Sequence, residues 1–270
     1  MVSGKPTGGG RTSVRTLFLS DIHLGFRHAR AQELNEFLYG VEAECIVLVG
    51  DIIDAWSLAR RAFWTAAHTQ VVRTLLARQR AGTRLVYIPG NHDESLGMFA
   101  QMLRGQFDVH REWVHRTARG ERLLVLHGDQ FDSAMVCPRW LSRVGDVLHG
   151  VGLGLNHQVN NVRRALGRPY WPLAERLKLS IGTSLRYIEQ FEQLAARHAA
   201  KFGYDGVVCG HIHRANLRHI AGTLYCNTGD WVESCTALIE NSRGQLELMR
   251  WPSARPAPLR SAAEPVADAA

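Results

Sequence analysis

The sequence predicts an α/β protein organised around parallel strands, on the strength of three observations. Short, strongly apolar runs recur along the chain, helical patterns separate the first three of them, and side chains with metal-binding chemistry follow almost every run. Alternation of this kind implies βαβ units, in which crossover helices cover a sheet.

Taken in order, Thr16–Ser20, Cys45–Gly50, Arg84–Pro89, Arg122–His127 and Gly206–Gly210 read as buried strands. They are short and nearly continuous in apolar character, as strands buried on both faces are. Helical patterns cover Arg30–Gly40, with Leu34, Phe37 and Leu38 on one stripe, and Leu58–Ala81. Together these predict a β-α-β-α-β core with a largely parallel sheet. Later strands at Thr223–Asn227, Thr236–Glu240 and Gln245–Trp251 are closely spaced, and Asn241-Ser242-Arg243-Gly244 is suited to the turn of an antiparallel hairpin.

Between Ser133 and Lys201 the strand signal vanishes. Trp140, Leu141, Val144, Val147 and Leu148 recur at helical spacing, Pro169 and Pro172 interrupt the pattern, and a long helix is expected over Leu173–Lys201. We read residues 133–201 as an inserted helical cap, serving either as packing or as a lid that selects substrate. Residues 1–13 are Gly-rich and polar, without the apolar segment of a secretory signal, and residues 252–270 are rich in Pro, Ala and Arg. Both read as disordered tails around a domain over 14–251.

Composition narrows the class. No run approaches the ~18 apolar residues of a membrane span. Cys45, Cys137, Cys209, Cys226 and Cys235 are scattered and lack paired metal-finger spacing, which suits a reduced, cytoplasmic protein. The net charge is +7, and apart from Lys5, Lys178 and Lys201 the basic residues are all Arg. Such a surface suits anionic lipid, nucleic acid or a nucleotide substrate equally well. No nucleic-acid-reading motif is present, so nucleic acid is not the expected partner.

The chemistry lies in five blocks: Asp21-Ile22-His23, Gly50-Asp51-Ile52-Ile53-Asp54, Gly90-Asn91-His92-Asp93, His127-Gly128-Asp129 and Gly210-His211-Ile212-His213. Carboxylate, imidazole and amide oxygen suit Mn2+, Fe, Zn2+ or Mg2+, and two such ions can clamp both oxygens of an in-line displacement at phosphorus. The blocks follow strand ends, where ligands bind in open α/β sheets. Asp51, first after its strand, is placed to bridge two ions. His92 is not needed for the ligand count, and its imidazole suits charge stabilisation or protonation of a leaving oxygen. Asp93 is expected to orient it, and Asp54 and Asp129 to support the ligands from behind. Glycines before the ligands suggest tight turns.

In this order the blocks resemble the calcineurin-like metallophosphoesterases, over about Arg15 to Trp251. The resemblance implies a four-layer α/β/β/α sandwich. It also implies that Asp21, His23 and His213 bind one ion, that Asp51 bridges, and that Asn91, His127 and His211 complete a second site. Direct hydrolysis follows, with a hydroxide held between the metals and no covalent enzyme intermediate.

Within that superfamily, Ser20–Gly25, the His127 block, the helical insert, Gly210–Arg214 and Gly229–Ser234 resemble the UDP-2,3-diacylglucosamine pyrophosphatase group of lipid A biosynthesis. That implies Mn2+ as cofactor, a nucleotide-linked lipid as substrate, UMP and an acylated glucosamine 1-phosphate as products, and a cytoplasmic enzyme peripheral to the membrane. Arg163, Arg164, Lys178 and Ser180 in the insert are the candidate substrate contacts. Two features depart from the group's pattern: His92, where best-known members carry Arg, and the stretch Gln130-Phe131-Asp132 after His127. A phosphodiesterase or phosphomonoesterase acting on another phospholipid or nucleotide is the alternative. A non-catalytic scaffold would be expected to have lost a ligand or the catalytic histidine, and every one is present here.

Overall fold

The computed structural model describes residues 11–93, 107–134, 160, 163 and 182–251. Strand β1 (Thr12–Leu19) leads through α1 (Ala31–Gly40) to β2 (Val41–Val49), and α2 (Ala55–Arg60) and α3 (Ala66–Arg80) connect it to β3 (Arg84–Ile88). Then come β4 (Asp108–Val109), β5 (Trp113–Arg116), β6 (Arg122–Val125) and a 3-10 helix over Asp129–Ala134. Helix α4 (Gly182–Lys201), β7 (Gly206–Cys209), β8 (Asn216–Ile220), β9 (Thr223–Asn227), β10 (Thr236–Glu240) and β11 (Leu246–Arg250) complete the order.

The strands form two sheets, ordered β11-β10-β1-β2-β3-β4 and β5-β6-β7-β9-β8. The centre of each is parallel (β1 to β4; β6, β7 and β9), while β10, β11, β5 and β8 run antiparallel at the margins. Side-chain alternation explains why the runs are apolar throughout. Leu17, Leu19, Ile46 and Leu48 face α1 and α3, where Leu34, Phe37, Leu38, Val71 and Leu75 complete one core. Phe18, Val47, Val49, Val86 and Ile88 face the second sheet and meet Leu123, Val125, Val208 and Cys226. On the far side, Leu124, Leu126, Val207, Cys209 and Tyr225 pack under Phe191, Ala195 and Ala199 of α4. Two sheets flanked by helices are what the family resemblance implies.

The single helix expected over Leu58–Ala81 is two. The first ends where Arg61 turns extended, and Thr65 starts the second: its hydroxyl accepts from His68 N–H while the His68 ring accepts from Thr65 N–H, a capping box at the head of α3. Strands β4, β5 and β8 are additions to the expected set, because they are short or half-exposed sequences at the sheet margins that lack the apolar signature. The expected hairpin is present, with β10 and β11 paired and Asn241 N–H donating to Gln245 O at 3.0 Å. Of the expected cap, α4 matches the end of the Leu173–Lys201 helix, and Asn160 and Arg163 are helical. The rest, with Cys137, Arg164, Lys178, Ser180 and both tails, lies outside the described residues. Cys45, Cys209, Cys226 and Cys235 are free thiols. Burial pushes Cys45 up to about 11 and Cys209 up to about 12, so they behave as packing groups. Among the described residues, no helix is long and apolar enough to cross a membrane.

Glu240 locks the sheets together away from the strand ends that bear the metal motifs. Its buried carboxylate accepts from His115 Nε2 (2.7 Å), Arg15 Nη1 (2.7 Å) and Ala118 N–H (2.7 Å). Burial alone would raise its pKa, but these donors outweigh it and hold the acid down at about 2. A depressed folded pKa stabilises the fold above the unfolded value near 4.5, and that stability is lost as pH falls towards 2. Glu240→Ala should therefore cost about 3 kcal/mol at neutral pH, because it strands buried donors. Denaturant melts should show the gap between wild type and variant closing between pH 4.5 and pH 2. A gap independent of pH would contradict this.

Candidate metal centre

Parallel strands bring their carboxyl ends to one edge, and the motif loops leave from there. Beyond β1 and β2 the first two loops continue side by side: Asp21 N–H donates to Gly50 O (3.0 Å), His23 N–H to Asp51 O (2.9 Å) and Leu24 N–H to Ile52 O (2.9 Å). This pairing holds a costly backbone. Asp21, His23, Asp51, His211 and His213 all have φ between 49° and 69°, in the left-handed region that non-glycine residues avoid. Such residues cost about 1–3 kcal/mol each and persist where the surroundings over-determine them, most often at functional sites.

The glycines act differently from one another. Gly50, at φ 81°, supplies the left-handed turn expected of it. Gly90 does not lie in that region; a side chain there would collide with the Asp51 carboxylate and the His127 ring, so its role is to leave room. Gly210 likewise leaves room for Asp21.

The side chains converge. His213 Nε2 lies 3.2 Å from Asp21 Oδ1 and 3.3 Å from His23 Nε2. Asp51 Oδ2 lies 3.4 Å from His127 Nε2, 3.8 Å from His23 Nε2 and 4.0 Å from His92 Nε2. Two donor sets, Asp21–His23–His213 and Asp21–Asp51–His127, can each surround an ion. A third, His23–Asp54–His92, lies alongside.

Outer contacts set which atoms face inward. Ser20 Oγ (2.5 Å) and His211 N–H (3.0 Å) occupy Asp21 Oδ2, leaving Oδ1 for the centre. His127 Nδ1 donates to Val49 O at 3.0 Å, which directs Nε2 inward. His23 Nδ1 sits 3.5 Å from Asp54. His127 Nε2 and Asn91 Oδ1 are buried with no hydrogen-bond partner. Buried polar atoms without partners are unusual in a folded protein, and these two suit coordination of a cation.

Charge tells the same story. Burial works against ionised Asp51, but His127 and His23 outweigh it and hold the acid far below the usual range. Burial likewise opposes a charged His127, and Asp51 lifts it to about 10. Burial and then His213 act on Asp21 in the same opposed way, with a net lowering. A cation bound by these groups would displace protons from its histidine ligands. The donor set of carboxylate, imidazole and amide oxygen fits divalent ions.

The expected support for His92 needs correcting. Asp93 accepts from Ile52 N–H (3.0 Å), Ile53 N–H (2.7 Å) and Gly90 N–H (3.3 Å), so it ties two motif loops together. Burial, with the nearby Asp51 charge, raises it to about 6. The residue that orients His92 is Asp54, which accepts from its Nδ1 at 3.1 Å. Burial disfavours the His92 cation, but Asp54 and Asp51 reverse this and raise its pKa. Trp56, 46% exposed, lies over the His92 ring with centroids 4.1 Å apart. Asp129 begins the 3-10 helix, and it is Asp132 that reaches a site histidine, His211. Trp56 and Asp132 carry no signal in the sequence, since neither belongs to a block whose spacing announces metal chemistry.

The segment after β9 buttresses the centre. Asp230 accepts from Val232 N–H (2.8 Å), capping a tight turn, and Trp231, fully buried against Phe37, donates its main-chain N–H to Asp21 O (3.1 Å). Arg163 is helical and half-buried.

A family profile described as calcineurin-like phosphoesterase matches residues 14–215. The chain belongs to this family. As a calcineurin-like phosphoesterase it is a metal-dependent hydrolase of phosphoesters, with divalent ions as cofactors. It is 22% identical over 231 residues to UDP-2,3-diacylglucosamine hydrolase of Neisseria meningitidis serogroup C, covering 79% of this chain and 88% of that protein. To the protein of the same name from Blochmanniella pennsylvanica it is 26% identical over 116 residues, 42% of this chain and 46% of that one. Among solved structures, an archaeal phosphodiesterase aligns with a TM-score of 0.44 at 11% identity, over 87% of this chain and 98% of that one. The phosphoesterase Yfce of E. coli aligns with a TM-score of 0.44 at 17% identity, over 84% and 88%.

Proposed function

We propose that this calcineurin-like phosphoesterase holds two divalent ions, Mn2+ by preference, and hydrolyses the pyrophosphate bond of UDP-2,3-diacylglucosamine. Water adds across one P–O bond of the pyrophosphate bridge, giving UMP and an acylated glucosamine 1-phosphate. The observation that supports this substrate is the similarity, over 88% of its length, to a hydrolase named for that substrate.

Asp21, His23 and His213 would hold one ion, Asn91, His127 and His211 the other, with Asp51 Oδ2 between them. Bound there, the ions would supply Lewis acidity at the phosphoryl oxygens and a water acidified towards neutrality. The chain's own groups do the rest. Asp54 anchors His92 through Nδ1 and keeps its Nε2 turned towards the centre, 4.0 Å from Asp51 Oδ2. A cationic His92 can donate the Nε2 proton to a phosphoryl or leaving oxygen as charge builds. Trp56 packs over that ring, with centroids 4.1 Å apart.

Arg163, with Arg164, Lys178 and Ser180, would contact the nucleotide or sugar phosphate, and the cap would receive the acyl chains in an apolar slot. We place the enzyme in the cytoplasm, peripheral to the anionic inner face of the cell membrane, and infer that small phosphoesters rather than nucleic acids are its partners. His92 itself favours a second reading, hydrolysis of another phospholipid or nucleotide ester, because the best-known members of the UDP-2,3-diacylglucosamine group carry Arg at this position.

Purified enzyme with Mn2+ should release UMP from UDP-2,3-diacylglucosamine, and the Asp51→Ala control should not. Cleavage of simple phosphodiesters without UMP release would discard the lipid substrate and leave the second reading.

A further inference from the structure

His211 is held by a carboxylate that no metal motif contains. Its Nε2 lies 3.0 Å from both oxygens of Asp132, on the 3-10 helix that follows His127. Asp132 in turn accepts from the Tyr187 hydroxyl of α4 at 2.9 Å. Phe191, one helical turn further along α4, lies against the His211 ring with centroids 5.9 Å apart, and the His127 ring stands on the other side at 5.1 Å. A carboxylate on one imidazole nitrogen fixes the proton there and leaves the other nitrogen basic, as carboxylate–histidine–metal arrangements do.

We propose that Asp132 is a positioning residue for the second metal site, and that Tyr187 couples it to the last helix of the insert. With Nε2–H committed to Asp132, Nδ1 is the nitrogen that His211 offers to an ion. Asp132 is about half exposed, so the pair contributes little to folding; its effect is on the tautomer and aim of a ligand.

This rests on His211 being a metal ligand, so the test separates the two. Full-length metal-free protein is titrated with Mn2+ alone by calorimetry, for wild type, Asp132→Ala, Asp132→Asn, Tyr187→Phe and His211→Ala. Asp132→Ala should weaken one of two Mn2+ sites by about 10–100-fold, with the other site and the melting temperature of the metal-free protein unchanged. Asp132→Asn should recover part of the loss, since its amide oxygen still accepts from Nε2–H, and Tyr187→Phe should show a smaller loss at the same site. If His211→Ala abolishes one site while Asp132→Ala binds as wild type, the positioning role is overturned and the ligand assignment stands. If His211→Ala also retains both sites, the ligand assignment falls and the inference falls with it.

Discussion

Asp51→Ala should lose bound metal and activity together. Asp51 Oδ2 lies within 4.0 Å of three imidazoles at once, and its other oxygen accepts from His92 N–H at 2.9 Å. Removing it takes away the shared anionic ligand and releases the loop bearing Asn91 and His92. Metal catalysis of this kind supplies several kcal/mol of transition-state stabilisation, so turnover should fall by roughly 10³-fold or more. Elemental analysis of the purified variant beside its turnover number checks this. Full metal content with turnover within tenfold of wild type would refute a bridging role.

His92→Ala should separate metal from rate. The histidine is outside the two donor sets that contain Asp21, and in the third its Nδ1 is engaged by Asp54, while its Nε2 lies 4.0 Å from Asp51 Oδ2. Metal content should stay at the wild-type level while kcat drops by about 10²–10⁴-fold, the usual contribution of a positioned acid. Asp54→Asn should lower kcat in the same direction but less, because the amide oxygen can still accept from Nδ1. Loss of metal in His92→Ala would instead make the residue a ligand, and an unchanged kcat would remove it from the chemistry.

Asp51 and His92 both belong to blocks that are legible in the linear chain. Asp21, His23, Asp51, Asn91, His127, His211 and His213 announce themselves because each follows a short apolar run, and strand ends are where α/β sheets gather their ligands. The runs themselves are legible for the same local reason, and β9 and β10 coincide with their expected bounds. The strands without a sequence signal, β4, β5 and β8, are short or half-exposed margins of sheets, where no strong apolar pattern is required. The break between α2 and α3 is hidden because a helical hydrophobic pattern runs across it, while the fresh start of α3 depends on one reciprocal pair, Thr65 and His68.

The distinction is sharpest around His92. Asp93 is its chain neighbour and the partner that proximity suggests, yet the turn directs that carboxylate into the amides of Ile52 and Ile53. The partner is Asp54, 38 residues earlier. Asp132 meets His211 across 79 residues, and Glu240 meets His115 across 125. A sequence states which donors exist and in what order, because side-chain chemistry and strand or helix periodicity are local properties. Which nitrogen of each imidazole faces inward, and which carboxylate holds the other, is settled by contacts between distant segments. Those contacts come into being only when two sheets have closed on a shared core.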